Sequence, residues 1–145
     1  MNAFELKRAW GEWLNTFVWD FFGTFTFRTS RNLIGGKKRF NGFMKKIFPK
    51  AYYFVVGEQH STRDGVHIHT LAGNVEQINH LKVMDAWNKY DGYSRIVPYD
   101  CHKGASYYLA KNITSEKAEW DFVTNGVEPT KIGDLGLVKE LATAR

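Results

Sequence analysis

The sequence predicts an α+β fold, with a central antiparallel-rich sheet flanked by helices. Three observations predict it. Residues 55–74, VVGEQHSTRDGVHIHTLAGN, read as a β-hairpin, two strand-like runs separated by turn chemistry at 61–65 that ends in Asp-Gly. Residues 19–27, WDFFGTFTF, alternate with period two, so that Phe21, Gly23, Phe25 and Phe27 share one face and Phe22, Thr24 and Thr26 the other. Between and around these lie segments whose apolar residues recur three and four apart, the spacing of amphipathic helices.

The elements follow in order. Residues 4–17 carry Trp10, Trp13, Leu14 and Phe17 on a helical stripe. The strand 19–27 comes next. Gly35-Gly36 reads as a breaker, and a second helix is expected over 37–48, with Phe40, Phe43, Met44 and Ile47 inward and Pro49 at its end. After the hairpin, a third helix is expected over 75–90, capped by Asn74, with Ile78, Leu81, Val83, Met84 and Trp87 apolar. Residues 93–99 form a short strand whose Pro98 suits an edge or a strand end. Residues 102–113 form a helix with Ala105, Leu109 and Ile113 on its buried face. The signal then weakens, with a strand over 120–123 and a terminal helix over 135–144.

At 145 residues the chain suits one domain, and eleven Phe, seven Tyr and five Trp supply both a core and rings that can stack on bases. A single cysteine, Cys101, excludes an intramolecular disulfide and a cysteine-based zinc site. No apolar run reaches membrane-span length and no signal-peptide apolar region opens the chain, so the expectation is a cytoplasmic protein with no membrane partner. Residues 1–50 hold ten Lys and Arg against three Asp and Glu, whereas the remainder holds ten against twelve. That asymmetry predicts phosphate contacts from Arg28, Arg31, Lys37, Lys38 and Arg39; the alternative is a solvated helix face.

The hairpin carries the chemistry. His67 and His69 stand two apart, so both project from one face of a strand while Ile68 points into a core. Glu58 and His60 have the same spacing on the partner strand. Paired across the turn, the hairpin can present three imidazoles and one carboxylate together, a set suited to a divalent ion with mixed nitrogen and oxygen ligands. His60 is either a further ligand or a group that orients one. His80 and His102 read as structural or exposed.

Three stretches in order, FFGTFTF at 21–27, GEQHSTRDGVHIH at 57–69 and YYLAK at 107–111, resemble the HUH endonucleases, specifically the rolling-circle replication initiators called Rep proteins. The first matches the family's F-x-T-x-T type of strand at Phe22, Thr24 and Thr26. The second matches its His-hydrophobic-His motif at His67, Ile68 and His69. The third matches its tyrosine with a following lysine, as Tyr108 with Lys111, or Tyr107 with Lys111 at the longer spacing. The resemblance covers 21–111 and implies a single HUH nuclease domain over 1–145. Histidines preceding tyrosine resemble Rep proteins and the related single-tyrosine transposases rather than relaxases. No second tyrosine follows Lys111, where Asn112 stands, and no G-x(4)-G-K-[ST] phosphate loop is present, so the resemblance is to a one-tyrosine nuclease without a fused helicase.

The resemblance implies a function: metal-dependent, sequence-specific nicking and joining of single-stranded DNA at an origin or hairpin, with host replication proteins as further partners. Glu58, His67 and His69 would hold Mn²⁺ or Mg²⁺. Two imidazoles favour Mn²⁺ in affinity, while availability favours Mg²⁺ in cells. Tyr108 would be the nucleophile, Tyr107 the alternative, and Lys111 a phosphate or phenolate partner. Thr24 and Thr26 would shape the DNA face. A phenol, with a pKa near ~10, is a weak nucleophile until deprotonated, which is why the ion and the lysine belong beside it. The competing readings are a transposase of the same superfamily and a non-catalytic nucleic-acid module with a structural ion. On a helix, Tyr107 and Tyr108 lie about 100° apart, and Tyr108 falls nearer the flank of the stripe centred on Leu109.

Overall fold

The computed structural model describes residues 2–60, 65–75, 79–113 and 118–134. Five strands form one sheet in the order β4-β1-β3-β2-β5, and every neighbouring pair is antiparallel. These are β1 (Phe21–Thr26), β2 (Tyr52–Gln59), β3 (Val66–Gly73), β4 (Ser94–Pro98) and β5 (Ala118–Val123). The fold is thus α+β with a central antiparallel sheet. The weakly signalled last strand is real and longer than 120–123; it closes the sheet edge opposite β4 by pairing with β2. Pro98 ends the other edge strand, where a missing N–H costs no ladder bond.

Helices cover both faces. On one, α2 (Leu33–Ile47) and α3 (His80–Tyr90) bury Phe40, Phe43, Met44, Val83 and Trp87 against Phe21, Phe25, Tyr53, Val55, Ile68 and Ala72. On the other, α1 (Ala3–Leu14) and α4 (Ala105–Ile113) bring Leu14 and Leu109 onto Tyr52, Phe54, Val56 and Leu71. The period-two alternation of β1 and the hairpin therefore feeds two separate cores. Among the described residues no helix is long and apolar enough to cross a membrane.

Several boundaries differ from the sequence expectation, each for a local reason. The first helix stops at Leu14, and Phe17 instead bridges Lys131 in an isolated antiparallel pair. The second helix starts four residues before Lys37, because the Asn32 side chain accepts from Gly35 N and caps it. Gly35 and Gly36 thus lie inside its first turn rather than breaking it. Gly36 is there for packing: a Cβ would stand 2.7 Å from Val66 Cγ2. The third helix begins at His80, capped by Asn79, whose side chain accepts from Leu81 N and Lys82 N. Asn74 instead adopts a left-handed φ of 59° and donates to Lys50 O. Leu81 is exposed, and Ile78 lies outside the described residues, as do the expected helix over 135–144 and turn residues 61–64. The fourth helix is preceded by a short 3₁₀ turn, η1 (Cys101–Lys103), and Gly104 at φ 73° separates the two.

Where α3 turns back into β4, Gly92 passes directly over β1, and a Cβ there would meet the Thr26 carbonyl. Backbone cannot rotate away as a side chain can. Gly92→Ala is expected to destabilise the fold by about 1–3 kcal/mol, read as an earlier urea midpoint at unchanged slope.

Candidate active site

Three strands assemble the polar cluster. Thr24 of β1 lies opposite His69 of β3, and Thr26 opposite His67. On the other side of β3, Glu58 of β2 lies opposite His67 and Val56 opposite His69. Strand alternation puts all these side chains on the face covered by α1 and α4. His67 Nε2 lies 3.2 Å from Glu58 Oε2. His69 Nε2 is 3.8 Å from the same oxygen, beyond hydrogen-bond reach. Donor atoms of Glu58, His67 and His69 all lie within 4.8 Å of one another.

The state of His69 is informative. The side chain is buried, and burial, helped by the neighbouring His67, pushes its imidazole down to about 4. The ring is therefore neutral at neutral pH, and its approach to Glu58 is no ion pair. His69 Nδ1 sits 3.1 Å from Thr24 Oγ1, while its Nε2 is buried with no hydrogen-bond partner. An orphaned buried polar atom costs about 1–3 kcal/mol. A cation ligated at Nε2 removes that cost. A proton on Nδ1, donated to Thr24 Oγ1, leaves the Nε2 lone pair toward Glu58, the tautomer that ligation requires. Two imidazole nitrogens and a carboxylate oxygen so placed could hold a divalent cation.

His60 stands just past β2, its backbone N–H bonded to Gly65 O. Its Nδ1 lies 3.1 Å from His67 Nδ1, on the nitrogen of His67 that does not face Glu58. It is placed to orient His67 rather than to join the three-residue donor group.

The two tyrosines of α4 separate cleanly. The Tyr108 ring stands 5.3 Å from that of His69 at 90°, and 6.4 Å from Phe22. It is 46% exposed, so a large substrate can reach it. Tyr107 points elsewhere, its ring laid against Gly11 of α1, where a Cβ would collide with it. The expected stripe of Ala105, Leu109 and Ile113 packs on the core of this face, Leu109 fully buried and the other two partly, and Ser106 and Ala110 are buried as well, because α1 docks beside α4 and covers its second side. Lys111 is exposed, one turn beyond Tyr108.

The cations expected to contact DNA mostly have structural partners, and those on α2 stand on the opposite face of the sheet from the cluster. Arg39 donates from Nε to Asp91 at 2.8 Å, donates to Tyr90 O and covers the Tyr90 ring at 3.9 Å. Arg31 pairs with the same buried Asp91 at 3.0 Å, and Lys37 with Glu119 at 3.3 Å. Lys38 is exposed on α2. Arg28 is exposed beyond the end of β1 and donates to Asn88 O.

Other residues at the site escaped the sequence reading. Arg95 of β4 lies opposite Thr24, extending the row Val56, His69, Thr24, Arg95 across the sheet. With Lys103 and Asp100 it lines a hollow of ≈ 370 Å³ that Phe22, His69 and Tyr108 share. A second hollow, of ≈ 440 Å³, opens beyond Thr26 among Arg28, Ser30, His60 and Tyr93. The alternation of β4 was readable, but its partner strand was not, so nothing placed Arg95 near His69.

Thr24 is accordingly a positioning residue for His69. Thr24→Val, which keeps shape and removes the acceptor, is expected to weaken Mn²⁺ binding by about 10- to 100-fold in a calorimetric titration, and Thr24→Ser to restore it.

No protein-family model and no curated protein sequence matches the chain. A solved structure that superposes on it is the crystal structure of the hypothetical protein ORF119 from Sulfolobus islandicus rod-shaped virus 1, at 18% identity, covering 80% of this chain and 98% of that one with a TM-score of 0.49.

Proposed function

We propose that this protein is an HUH-type endonuclease that nicks and rejoins single-stranded DNA through a covalent 5′-phosphotyrosine, as in the initiation of rolling-circle replication. The observation that carries the reading is the Tyr108 ring standing 5.3 Å from the ring of His69, whose buried Nε2 has no partner. In this reading the nucleophile and a cation ligand stand side by side on one face of the sheet. Glu58, His67 and His69 would hold the ion, which supplies Lewis-acid polarisation of the phosphate and neutralises charge in the transition state.

The protein's own residues do the rest. Tyr108 Oη attacks the scissile phosphorus and loses its proton to water. The O–P bond forms as the P–O3′ bond breaks, and the departing 3′-oxygen takes the electron pair and then a proton from water. One phosphodiester is exchanged for another, so a free 3′-hydroxyl can reverse the step and join strands. His60 and Thr24 hold His67 and His69 in orientation. Lys111, one turn from Tyr108, supplies positive charge to the phosphate. Arg95 and Lys103, lining the hollow beside Tyr108, bind flanking phosphates. The partner is single-stranded DNA at an origin or hairpin, with host replication proteins in the cytoplasm.

Neutralising Arg95 and Lys103 is expected to flatten the dependence of log affinity on log salt by ~0.7 per lost phosphate contact on single strands. Anisotropy titrations at several salt concentrations measure it. The reading as a whole is tested by incubating the protein with a degenerate single-stranded library and Mn²⁺, then running a denaturing gel. A protein band shifted by covalent DNA, absent with EDTA, is expected; its absence with every divalent ion overturns the reading.

A further inference from the structure

The order of groups along the sheet carries a directional consequence. Tyr108 approaches from the Phe22 end of β1, packed near Phe22 and His69. Two residues along β3 from His69, about 7 Å away, comes His67, with Thr26 opposite it on β1 and Glu58 opposite it on β2. Beyond them lies the second hollow, among Arg28, Ser30, His60 and Tyr93. Nucleophile, cation-binding cluster and second hollow thus succeed one another along a single line. The first hollow lies on the nucleophile's own side.

Displacement at phosphorus is in line: the entering and leaving oxygens stand on opposite sides of the phosphorus. With the phosphate over Glu58, His67 and His69 and Tyr108 entering from the Phe22 side, the leaving 3′-oxygen must point toward the second hollow. The residues there suit a nucleotide chain. Tyr93 is 65% exposed and offers a stacking surface. Its backbone is held to β1, since Tyr93 O accepts from both Thr26 N and Thr26 Oγ1. The backbone that carries the ring is therefore fixed relative to the row that includes His67. Arg28, exposed at the same rim, donates one guanidinium N–H to Asn88 O and has others left to meet a phosphate.

We propose that the hollow bounded by Arg28, Ser30, His60 and Tyr93 binds the strand that departs with the 3′-hydroxyl, the single-stranded DNA upstream of the nick, with Tyr93 stacking on its bases. The assignment rests on the nicking reading above and adds a direction to it. The same site receives the acceptor strand when the enzyme joins ends. Selectivity for the acceptor is then exercised at Tyr93 and Arg28, separately from the grip on the strand attached to Tyr108.

The test uses the whole 145-residue chain, Mn²⁺ and an oligonucleotide carrying a nick site selected from the library. Adduct is formed, and acceptor oligonucleotides ending in a 3′-hydroxyl are added, from one nucleotide to about ten. Tyr93→Ala is expected to raise the acceptor concentration for half-maximal joining by about 5- to 150-fold with long acceptors, the range that one stacked base supplies. The penalty should disappear with the one-nucleotide acceptor and be restored to wild type by Tyr93→Phe. Anisotropy of a labelled acceptor on Tyr108→Phe protein, with and without Tyr93→Ala, reads the same loss as binding alone. A penalty that instead tracks the length of DNA downstream of the nick, or no penalty at any length, overturns the assignment and leaves the nicking reading standing. Failure of wild-type protein to form any adduct overturns both.

Discussion

Tyr108→Phe is expected to yield no covalent adduct and to lower nicking by roughly 10⁴-fold or more, the scale seen when a nucleophile is deleted. The change removes one oxygen and keeps the ring, so the packing against Phe22 and His69 is preserved. DNA affinity should stay within about twofold, measured by anisotropy. Tyr107→Phe is the matched control. Its ring fills the notch that Gly11 leaves in α1, a contact made by carbon atoms, and the substitution keeps them. That variant should form adduct at near wild-type yield. Exchange of the two outcomes would move the nucleophile to Tyr107 and require α4 to rotate on the sheet.

The second large effect concerns the cluster. His67→Ala and His69→Ala are each expected to weaken Mn²⁺ binding by more than about 100-fold, since loss of a ligand outweighs loss of a group that only orients one. Nicking should fall below detection. Wild-type protein should be stabilised by about 2.7 kcal/mol at Mn²⁺ concentrations 100 times its dissociation constant, and the variants should not respond. His69→Ala should nevertheless fold. The substitution leaves a cavity, but it also removes a buried nitrogen that has no hydrogen-bond partner, and the two terms oppose. A thermal shift with Mn²⁺ that persists in the double variant would place the ion elsewhere.

Much of this arrangement was legible in the sequence because strand alternation is a strong rule. The spacing of His67 and His69 fixed their common face, and Glu58 followed from the hairpin turn. The two faces of 19–27 likewise separated Phe21 and Phe25, now in the core, from Thr24 and Thr26 on the site side. What alternation cannot give is which strands become neighbours. Thr24 meets His69 only because β1 pairs with β3, and Arg95 joins the row only because β4 pairs with β1 on its other side. Both are contacts between segments far apart in the chain.

Charge was the less reliable guide. The excess of Lys and Arg in the first third suggested one basic surface, but Asp91, a single buried carboxylate at the end of α3, gathers Arg31 and Arg39. Lys37 is drawn to Glu119 of the edge strand in the same way. The charge of one segment leaves out acids elsewhere in the chain, here Asp91 and Glu119, that fold against its cations. Helix boundaries slipped for a similar reason. Asn32 and Asn79 cap helices through side-chain contacts to the following turn, and Gly36 is dictated by Val66 rather than by its own flexibility.

In the proposed reaction Tyr108 attacks a phosphate held over Glu58, His67 and His69. Peptide mapping of the adduct tests it most directly. Protein is incubated with cleavable single-stranded DNA and Mn²⁺, digested with nuclease and protease, and sequenced by tandem mass spectrometry. One modified peptide is expected, with the nucleotide joined through its 5′-phosphate to Tyr108, and none from a parallel EDTA reaction. A modification on any other residue, a 3′-phosphate linkage, or an equal yield in EDTA would contradict it.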